Sequence, residues 1–446
     1  MDIKQRYDQA LEYLFSYVNY SLKHTDELAR AEFNLDRMVD LVDMLGDPQE
    51  DFPIIHVAGT KGKGSTASFM ASALEQAGYS TGLYTSPHLV DFNERIQVNG
   101  KPISHSNLAD LVDEIKPSVE KVPFITTFEL TTALAFLYFS RKKVDAAVIE
   151  VGLGGRLDAT NIVKPVVSVI TALSLDHTAV LGDTLALIAG EKAGIIKKGI
   201  PVVSSHQKPE ALQVIQKIAS DRRSPLTLVG RDWLFAEINS SLDGQEFKIW
   251  QEGKYSREFE TGMLGAHQVQ NAATAYAALQ IANNNGLKIS EEAIQLGFKK
   301  TFWPGRFEIV RKDPPVILDS AHNLDSFIKL HQTLDEYFPG WEVILIFGAS
   351  EDKDVFSMIS EIKPSLQKII FTQSTHPRAL APEVLVARVE KLEIPNLVVS
   401  SVPVAFNKAL TLAEEKKAVV LSAGSIFVTA EVRIAWQLLS NELDKE

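Results

Sequence analysis

The chain has no cysteine, which excludes disulfides, thiolate catalysis and cysteine-ligated zinc or iron–sulfur centres. It has no run of about 18 apolar residues, so no membrane-spanning helix is expected. The opening Met1-Asp2-Ile3-Lys4-Gln5-Arg6 leads into a polar, helix-like segment instead of an apolar signal core, and a cytoplasmic location is the expectation. Basic residues are in the minority, 45 against 57 acidic, giving a net charge of −12. That balance argues against bulk capture of nucleic acid or anionic membrane and leaves room only for a local basic pocket. Tandem repeats, low-complexity tracts and long charge runs are also lacking. What remains is an ordinary globular composition, 45% apolar and 23% charged over 446 residues. Such a length suggests two or three domains of about 150 residues each.

Short apolar runs alternate with helix-period segments, the pattern of βα units around a parallel sheet. In the first part the runs are 53–58, 81–85, 144–151, 166–170 and 201–204. They are nearly continuous in apolar character, as expected of strands covered on both faces. Between residues 226 and 259 apolar and polar residues alternate, with Gly244 and Gly253 as turn signals, and a small antiparallel sheet is predicted before a helix starting near Gln268. A break follows at Thr301-Phe302-Trp303-Pro304-Gly305-Arg306. A second alternation then runs through 316–319, 343–347, 368–372, 397–399 and 418–422. Domains are therefore placed at 1–303 and 304–446, and a cleft between two α/β domains is a common ligand site.

The strongest local signal is Gly59-Thr60-Lys61-Gly62-Lys63-Gly64-Ser65-Thr66, after a strand and before a helix at 67–76. A phosphate chain needs glycines for close backbone approach, and a helix N-terminus supplies free N–H groups with a positive dipole end. Lys63 is placed to reach terminal phosphates, and Ser65 or Thr66 to help hold Mg²⁺. Gly64 separates the lysine from the hydroxyl, so the spacing departs from the standard Walker pattern. The bland alternative is a glycine-rich turn that binds nothing. Glu150 ends a long apolar strand, at the sheet edge where ligands collect, and suits Mg²⁺. Arg306, just past the break, is positioned to stabilise transferred phosphate; a surface linker arginine is the alternative. Asp319 ends another apolar run and His322-Asn323 opens the next helix, so Asp319 and His322 are candidates for holding nucleotide or an incoming amine, with helix capping by Asp319 or Ser320 as the alternative.

These segments together resemble the Mur ligase superfamily, and within it the folylpolyglutamate synthases, including bifunctional dihydrofolate synthase members. The resemblance is carried by the phosphate loop and by Tyr84-Thr85-Ser86-Pro87-His88-Leu89, Asn93-Glu94-Arg95-Ile96, and Glu150-Val151-Gly152-Leu153-Gly154-Gly155-Arg156-Leu157-Asp158-Ala159-Thr160-Asn161. Leu175-Asp176-His177, Gly190-Glu191-Lys192-Ala193-Gly194, Trp303-Pro304-Gly305-Arg306, Asp319-Ser320-Ala321-His322-Asn323 and Phe347-Gly348-Ala349 extend it over nearly the whole chain. It implies a parallel-sheet ATPase domain bearing a small antiparallel sheet, followed by a smaller Rossmann-like α/β domain. It also implies ATP-dependent amide formation between a folate carboxylate, with dihydropteroate as a second candidate acceptor, and the amine of L-glutamate through an acyl phosphate. The rival reading is another Mur-type ligase acting on a cell-wall precursor.

By resemblance Ser86, Glu150 and His177 are metal ligands, with Ser65 helping, and Lys192 is a lysine carbamylated by CO₂ that joins them. A solvated lysine, or an ion pair with Glu191, is the alternative for Lys192. Asn271 matches an adenine contact. Thr126 and Glu129 resemble a substrate-side motif, although their S/T-x-x-E spacing equally makes a capping box. Asp158 and Asn161 are expected on the pterin or metal side of the pocket, or simply in a tight turn. Lys61 stands where many bacterial relatives carry Asn, and would either strengthen phosphate binding or point to solvent. A monomer using only small-molecule substrates is expected.

Overall fold

The computed structural model of the protein describes residues 2–18 and 34–443, so Met1 of the opening segment lies outside it. The chain divides into two compact units. The first comprises Met1–Ile238, Glu246–Thr261 and Gln268–Thr301; the second comprises Asn239–Gln245, Gly262–His267 and Phe302–Glu446.

The first unit is built on an eight-stranded sheet in the order β4-β3-β2-β5-β1-β6-β7-β8. Its members are β1 (Ile54–Ala58), β2 (Thr81–Tyr84), β3 (Ile96–Val98), β4 (Lys101–Pro102), β5 (Ala146–Glu150), β6 (Val167–Ile170), β7 (Val202–Ser204) and β8 (Leu226–Leu228). From β2 through β8 all pairings are parallel. Every residue of β1 and β5 is buried, which accounts for their continuous apolar texture. One face is covered by the helices Ile3–Phe15, His105–Val119 and Thr127–Lys142, whose buried side chains form one core. The helices Leu185–Lys192 and Pro209–Asp221 pack with β6 and β7 in a second core. Helix Lys63–Gln76 meets helix Glu291–Lys300 so closely that a Cβ on Gly297 would lie 2.5 Å from Ala73 Cα.

β3 runs antiparallel to both β2 and β4, and the β3–β4 hairpin was not predicted. Its turn is Asn99-Gly100, both at positive φ, and an Asn-Gly pair between short strands is itself a hairpin signal. The run at 226 was assigned to the small sheet, but it is β8, paired parallel to β7. An edge strand has one neighbour and is half-exposed, so it alternates like an antiparallel one. The small antiparallel sheet is β9 (Leu234–Ser241), β10 (Gly244–Trp250) and β11 (Arg257–Thr261), ordered β11-β10-β9. The helix after it spans Ala266–Asn284.

The second unit carries a six-stranded sheet in the order β12-β13-β17-β14-β15-β16. The strands are β12 (Glu308–Lys312), β13 (Pro315–Leu318), β14 (Val343–Phe347), β15 (Leu366–Phe371), β16 (Asn396–Val398) and β17 (Val419–Ala423). All pairings are parallel except β12 with β13. Helices Leu324–Tyr337 and Val355–Ile362 contribute to the core on one face, and Val402–Lys416 and Ile426–Leu443 to that on the other. The half-exposed, charged β12 reads as loop in the sequence, hence its absence from the predicted strands. Among the described residues no helix is long and apolar enough to cross a membrane.

Candidate active site

Parallel order places β2, β5, β1 and β6 side by side, so the loops leaving their C-terminal ends converge. Gly62 caps helix Lys63–Gln76 at φ +82 and gives it no side-chain hydrogen bond, so nothing on the cap competes for the first N–H groups of the helix. A Cβ on Gly62 would lie 2.2 Å from Asn271 Oδ1, which shows how closely that amide approaches the loop; Asn271 Nδ2 donates to Gln268 Oε1 at 2.9 Å. A Cβ on Gly59 would lie 1.8 Å from Thr171 Oγ1. The glycines are required by contact with the neighbouring loop and helix as well as by any ligand.

Lys63 Nζ lies 3.8 Å from Glu150 Oε1, while Glu150 Oε2 accepts a hydrogen bond from Ser86 N at 3.2 Å. The register explains the meeting, since Val57 pairs with Glu150 and Tyr84 with Ile149. Ser65 and Thr66 are buried in the first turn of the helix, and Thr66 Oγ1 has no hydrogen-bond partner among the described residues. Lys61 does not point freely to solvent. Its Nζ is 3.2 Å from Asp176 Oδ2, and the N–H groups of Thr60 and Lys61 both donate to Ala172 O at 3.0 Å. His177 sits in the left-handed region at φ +50, half-exposed, with its N–H donating to Asp176 Oδ1 at 3.0 Å.

Lys192 ends helix Leu185–Lys192 and is buried. Burial first, then the neighbouring Lys63 cation, hold its ammonium down to about 7. The turn 152–158 packs directly on this helix end. Arg156 N donates to Glu191 O at 2.8 Å, and a Cβ on Gly155 would come within 2.9 Å of Lys192 O. Asp158 accepts from Leu153 N and from the N–H and hydroxyl of Thr160, and Asn161 Nδ2 donates to Arg156 O at 2.9 Å. Both side chains therefore knit the turn; burial raises the Asp158 carboxyl, against those hydrogen bonds. Thr126 and Glu129 form the capping box, with Glu129 N donating to Thr126 Oγ1 and Thr126 N to Glu129 Oε2. Glu129 also pairs with Arg37 at 3.0 Å.

Sequence reasoning gave no role to several residues that the fold brings here. Phe128 covers Gly152, where a Cβ would lie 2.4 Å from its ring. Glu94 accepts from the N–H groups of Leu89 and Asp91, shaping the loop after Ser86. Arg95 Nε donates to His88 Nδ1 at 2.9 Å, which leaves His88 neutral with its remaining proton on Nε2. Burial, then Arg95, lower His88 to about 4. The quoted segment Asn93-Glu94-Arg95 was the available signal, but its partners lie outside the segment.

In the second unit Gly305, at φ +68, turns the chain before Arg306, whose guanidinium donates to Gly305 O at 3.2 Å. Asp319 does not cap a helix. It accepts from Phe307 N and Ala321 N at 2.8 and 2.7 Å, and burial raises its carboxyl against the opposing pull of Arg306. Asn323 caps helix Leu324–Tyr337 instead. His322 Nδ1 bonds Ser320 O at 2.8 Å, and since a carbonyl only accepts, that nitrogen carries the proton. His267, part-buried near Arg306, was not anticipated; desolvation, then Lys329 and Arg306, lower it to about 4.

Ser65, Ser86 and Glu150 offer oxygen ligands. Among the described residues no three His, Asp or Glu side chains form a cage. Such a donor set fits magnesium, which takes much of its shell from phosphate oxygens and water.

A helix N-terminus with a lysine and a buried carboxylate beside it is the arrangement of a site that binds nucleotide phosphates and their metal ion. Comparison narrows it: residues 57–279 match the Mur ligase middle domain and residues 305–426 the Mur ligase glutamate ligase domain. The chain is 40% identical over 407 residues to the dihydrofolate synthase/folylpolyglutamate synthase of Bacillus subtilis, covering 90% of this chain and 94% of that one. Among solved structures it is similar to Mycobacterium tuberculosis folylpolyglutamate synthase complexed with ADP and AMPPCP, with TM-score 0.87, 30% identity and coverage of 98% and 99%. It is also similar to E. coli FolC in complex with DHPP and ADP, with TM-score 0.85, 30% identity and 98% coverage of each chain. The chain belongs to the dihydrofolate synthase/folylpolyglutamate synthase family of Mur ligases, ATP-dependent enzymes that join glutamate to folates.

Proposed function

We propose that the chain adds L-glutamate both to reduced folate and to dihydropteroate, as the two-part name of its Bacillus subtilis relative suggests. The observation that carries the chemistry is Lys63 beside Glu150 and Ser86 at the start of helix Lys63–Gln76. The acceptor's carboxylate oxygen attacks the terminal phosphorus of ATP and ADP leaves. The glutamate amine then attacks the acyl carbonyl and loses a proton, and collapse of the tetrahedral intermediate expels phosphate. Lys63 and the helix N–H groups of Gly64 to Thr66 stabilise the transferring phosphoryl group. Asn271 orients the nucleotide base. Arg306, Asp319 and His322 serve the phosphates and the incoming glutamate, and Thr126, Glu129, Asp158 and Asn161 shape the acceptor side.

Ser65, Ser86, Glu150 and His177 would hold Mg²⁺, which when bound supplies charge neutralisation between the two reacting anions. A lysine held to about 7 is substantially neutral at physiological pH. Its amine can add to CO₂, forming a carbamate and releasing a proton, which would turn Lys192 into an oxygen ligand for that ion. The working protein is a cytoplasmic monomer, which light scattering would check for mass. The decisive assay incubates enzyme, ATP, Mg²⁺ and glutamate with tetrahydrofolate or dihydropteroate and reads products by mass. Glutamate increments on both support the proposal; extension of one acceptor alone overturns its bifunctional part, and extension of neither overturns it entirely.

A further inference from the structure

The phosphate loop is divided between two tasks. Its second half, from Gly62 onward, opens the helix. Its first half is bound to the loop that follows β6. Thr60 N and Lys61 N both donate to Ala172 O, and Thr60 Oγ1 donates to Ser174 O at 3.2 Å. Gly59 is pressed against Thr171. The last link is the ion pair of Lys61 with Asp176, whose side chains are only 22% and 13% exposed. The other oxygen of Asp176 accepts from His177 N, and His177 holds a left-handed backbone conformation that a residue with a Cβ keeps only when its surroundings enforce it.

We propose that Lys61 is a positioning residue: through Asp176 it fixes the His177 backbone against the phosphate loop, and it is not itself a phosphate ligand. The inference rests on the proposed metal and nucleotide site. A lysine next to a phosphate-binding turn ordinarily neutralises phosphate, but this ammonium is already engaged by a carboxylate, and the backbone amide of the same residue is turned toward Ala172. Residues that hold a metal ligand in place commonly change metal affinity by about tenfold or more when removed. Lys61 should therefore act on binding that needs the metal and leave metal-free nucleotide binding alone.

The test is calorimetric titration of ADP into the full chain, once with Mg²⁺ and once with EDTA, for wild type, Lys61→Met, Lys61→Arg, Asp176→Asn and Lys61→Met/Asp176→Asn. Lys61→Met and Asp176→Asn should each weaken Mg²⁺-dependent ADP binding by about tenfold and change binding in EDTA by less than about twofold. The double variant should be no weaker than either single, and Lys61→Arg should recover most of the loss. Equal weakening by Lys61→Met with and without Mg²⁺, together with unchanged or tighter binding by Asp176→Asn, would make Lys61 a phosphate ligand and overturn the proposal. Retained ADP binding in EDTA certifies the fold of each variant. A wild type that binds ADP in neither condition would refute the nucleotide site itself, and with it this inference.

Discussion

Lys192 makes a prediction that separates stability from activity. An ordinary lysine ammonium titrates at 10.5, whereas burial and the Lys63 charge hold this one to about 7. Between those values the unfolded chain binds a proton that the folded chain has released. Folding stability therefore rises with pH across that window, by about 1.4 kcal/mol per pH unit for one proton. The whole span is about 5 kcal/mol. At pH 7, where half of the folded molecules carry the proton, the penalty is about 4 kcal/mol. Both are upper bounds, because a buried ammonium relaxes its surroundings.

Lys192→Met keeps the length of the side chain and removes the titration. In CO₂-free buffer the variant should be more stable than wild type near pH 7, by up to about 4 kcal/mol, and this margin should shrink toward zero as pH approaches 10.5. Urea unfolding from pH 7 to 10 measures it, and ligation should be lost throughout. Added bicarbonate should stabilise wild type at pH 8 and leave the variant unmoved, since only an amine captures CO₂. A margin that is constant with pH, or a variant less stable than wild type at pH 7, would refute the reasoning.

Three further substitutions test other parts of the site. Gly194→Ala puts a Cβ 2.5 Å from Arg156 Cα, so backbone must move; thermal unfolding should show a loss of about 1–3 kcal/mol, and turnover should fall as the Lys192 end of the helix shifts. Lys63→Ala should lower turnover by about 100-fold or more by removing charge at the transferring phosphoryl, and activity within twofold of wild type would refute its role. Glu129→Ala removes one half of the capping box and the partner of Arg37, and should cost about 1–2 kcal/mol in unfolding experiments; an additional rise in KM for the folate acceptor would support its substrate-side role.

The parallel strands were legible because burial on both faces leaves β1, β5, β14 and β17 apolar apart from His56, Glu150 and Ser422. The elements that escaped lie at or next to sheet edges. β3, β4 and β12 are short or half-exposed; β4 and β12 have a single neighbour, and β3 links the edge strand β4 to β2 by antiparallel pairing on both sides. Local pattern carries periodicity and turn chemistry but not pairing. The same boundary divides the site residues. Gly59, Gly62 and Lys63 could be read from the strand–turn–helix context, since a close backbone approach leaves glycine in the sequence.

Partnerships across long separations could not be read. Nothing around Lys61 announces Asp176, and Arg95 shows its place only when His88 accepts from it. The charges explain why these pairings matter. Lys61, Lys63 and Lys192 crowd one sheet edge with Glu150, Asp176 and Asp158, and a free ammonium beside another is unstable in a shielded site. The fold relieves the crowding differently for each lysine. Lys61 is tied to Asp176 and Lys63 is kept beside Glu150, while Lys192, buried at the helix end, is pressed toward its neutral form. Of the three, only Lys63 stands at the helix N-terminus, where in the proposed site its cation and the helix N–H groups would face the same phosphates. On the proposed mechanism, charge for phosphoryl transfer is thereby concentrated on one side chain, and the other two organise the ligands around it.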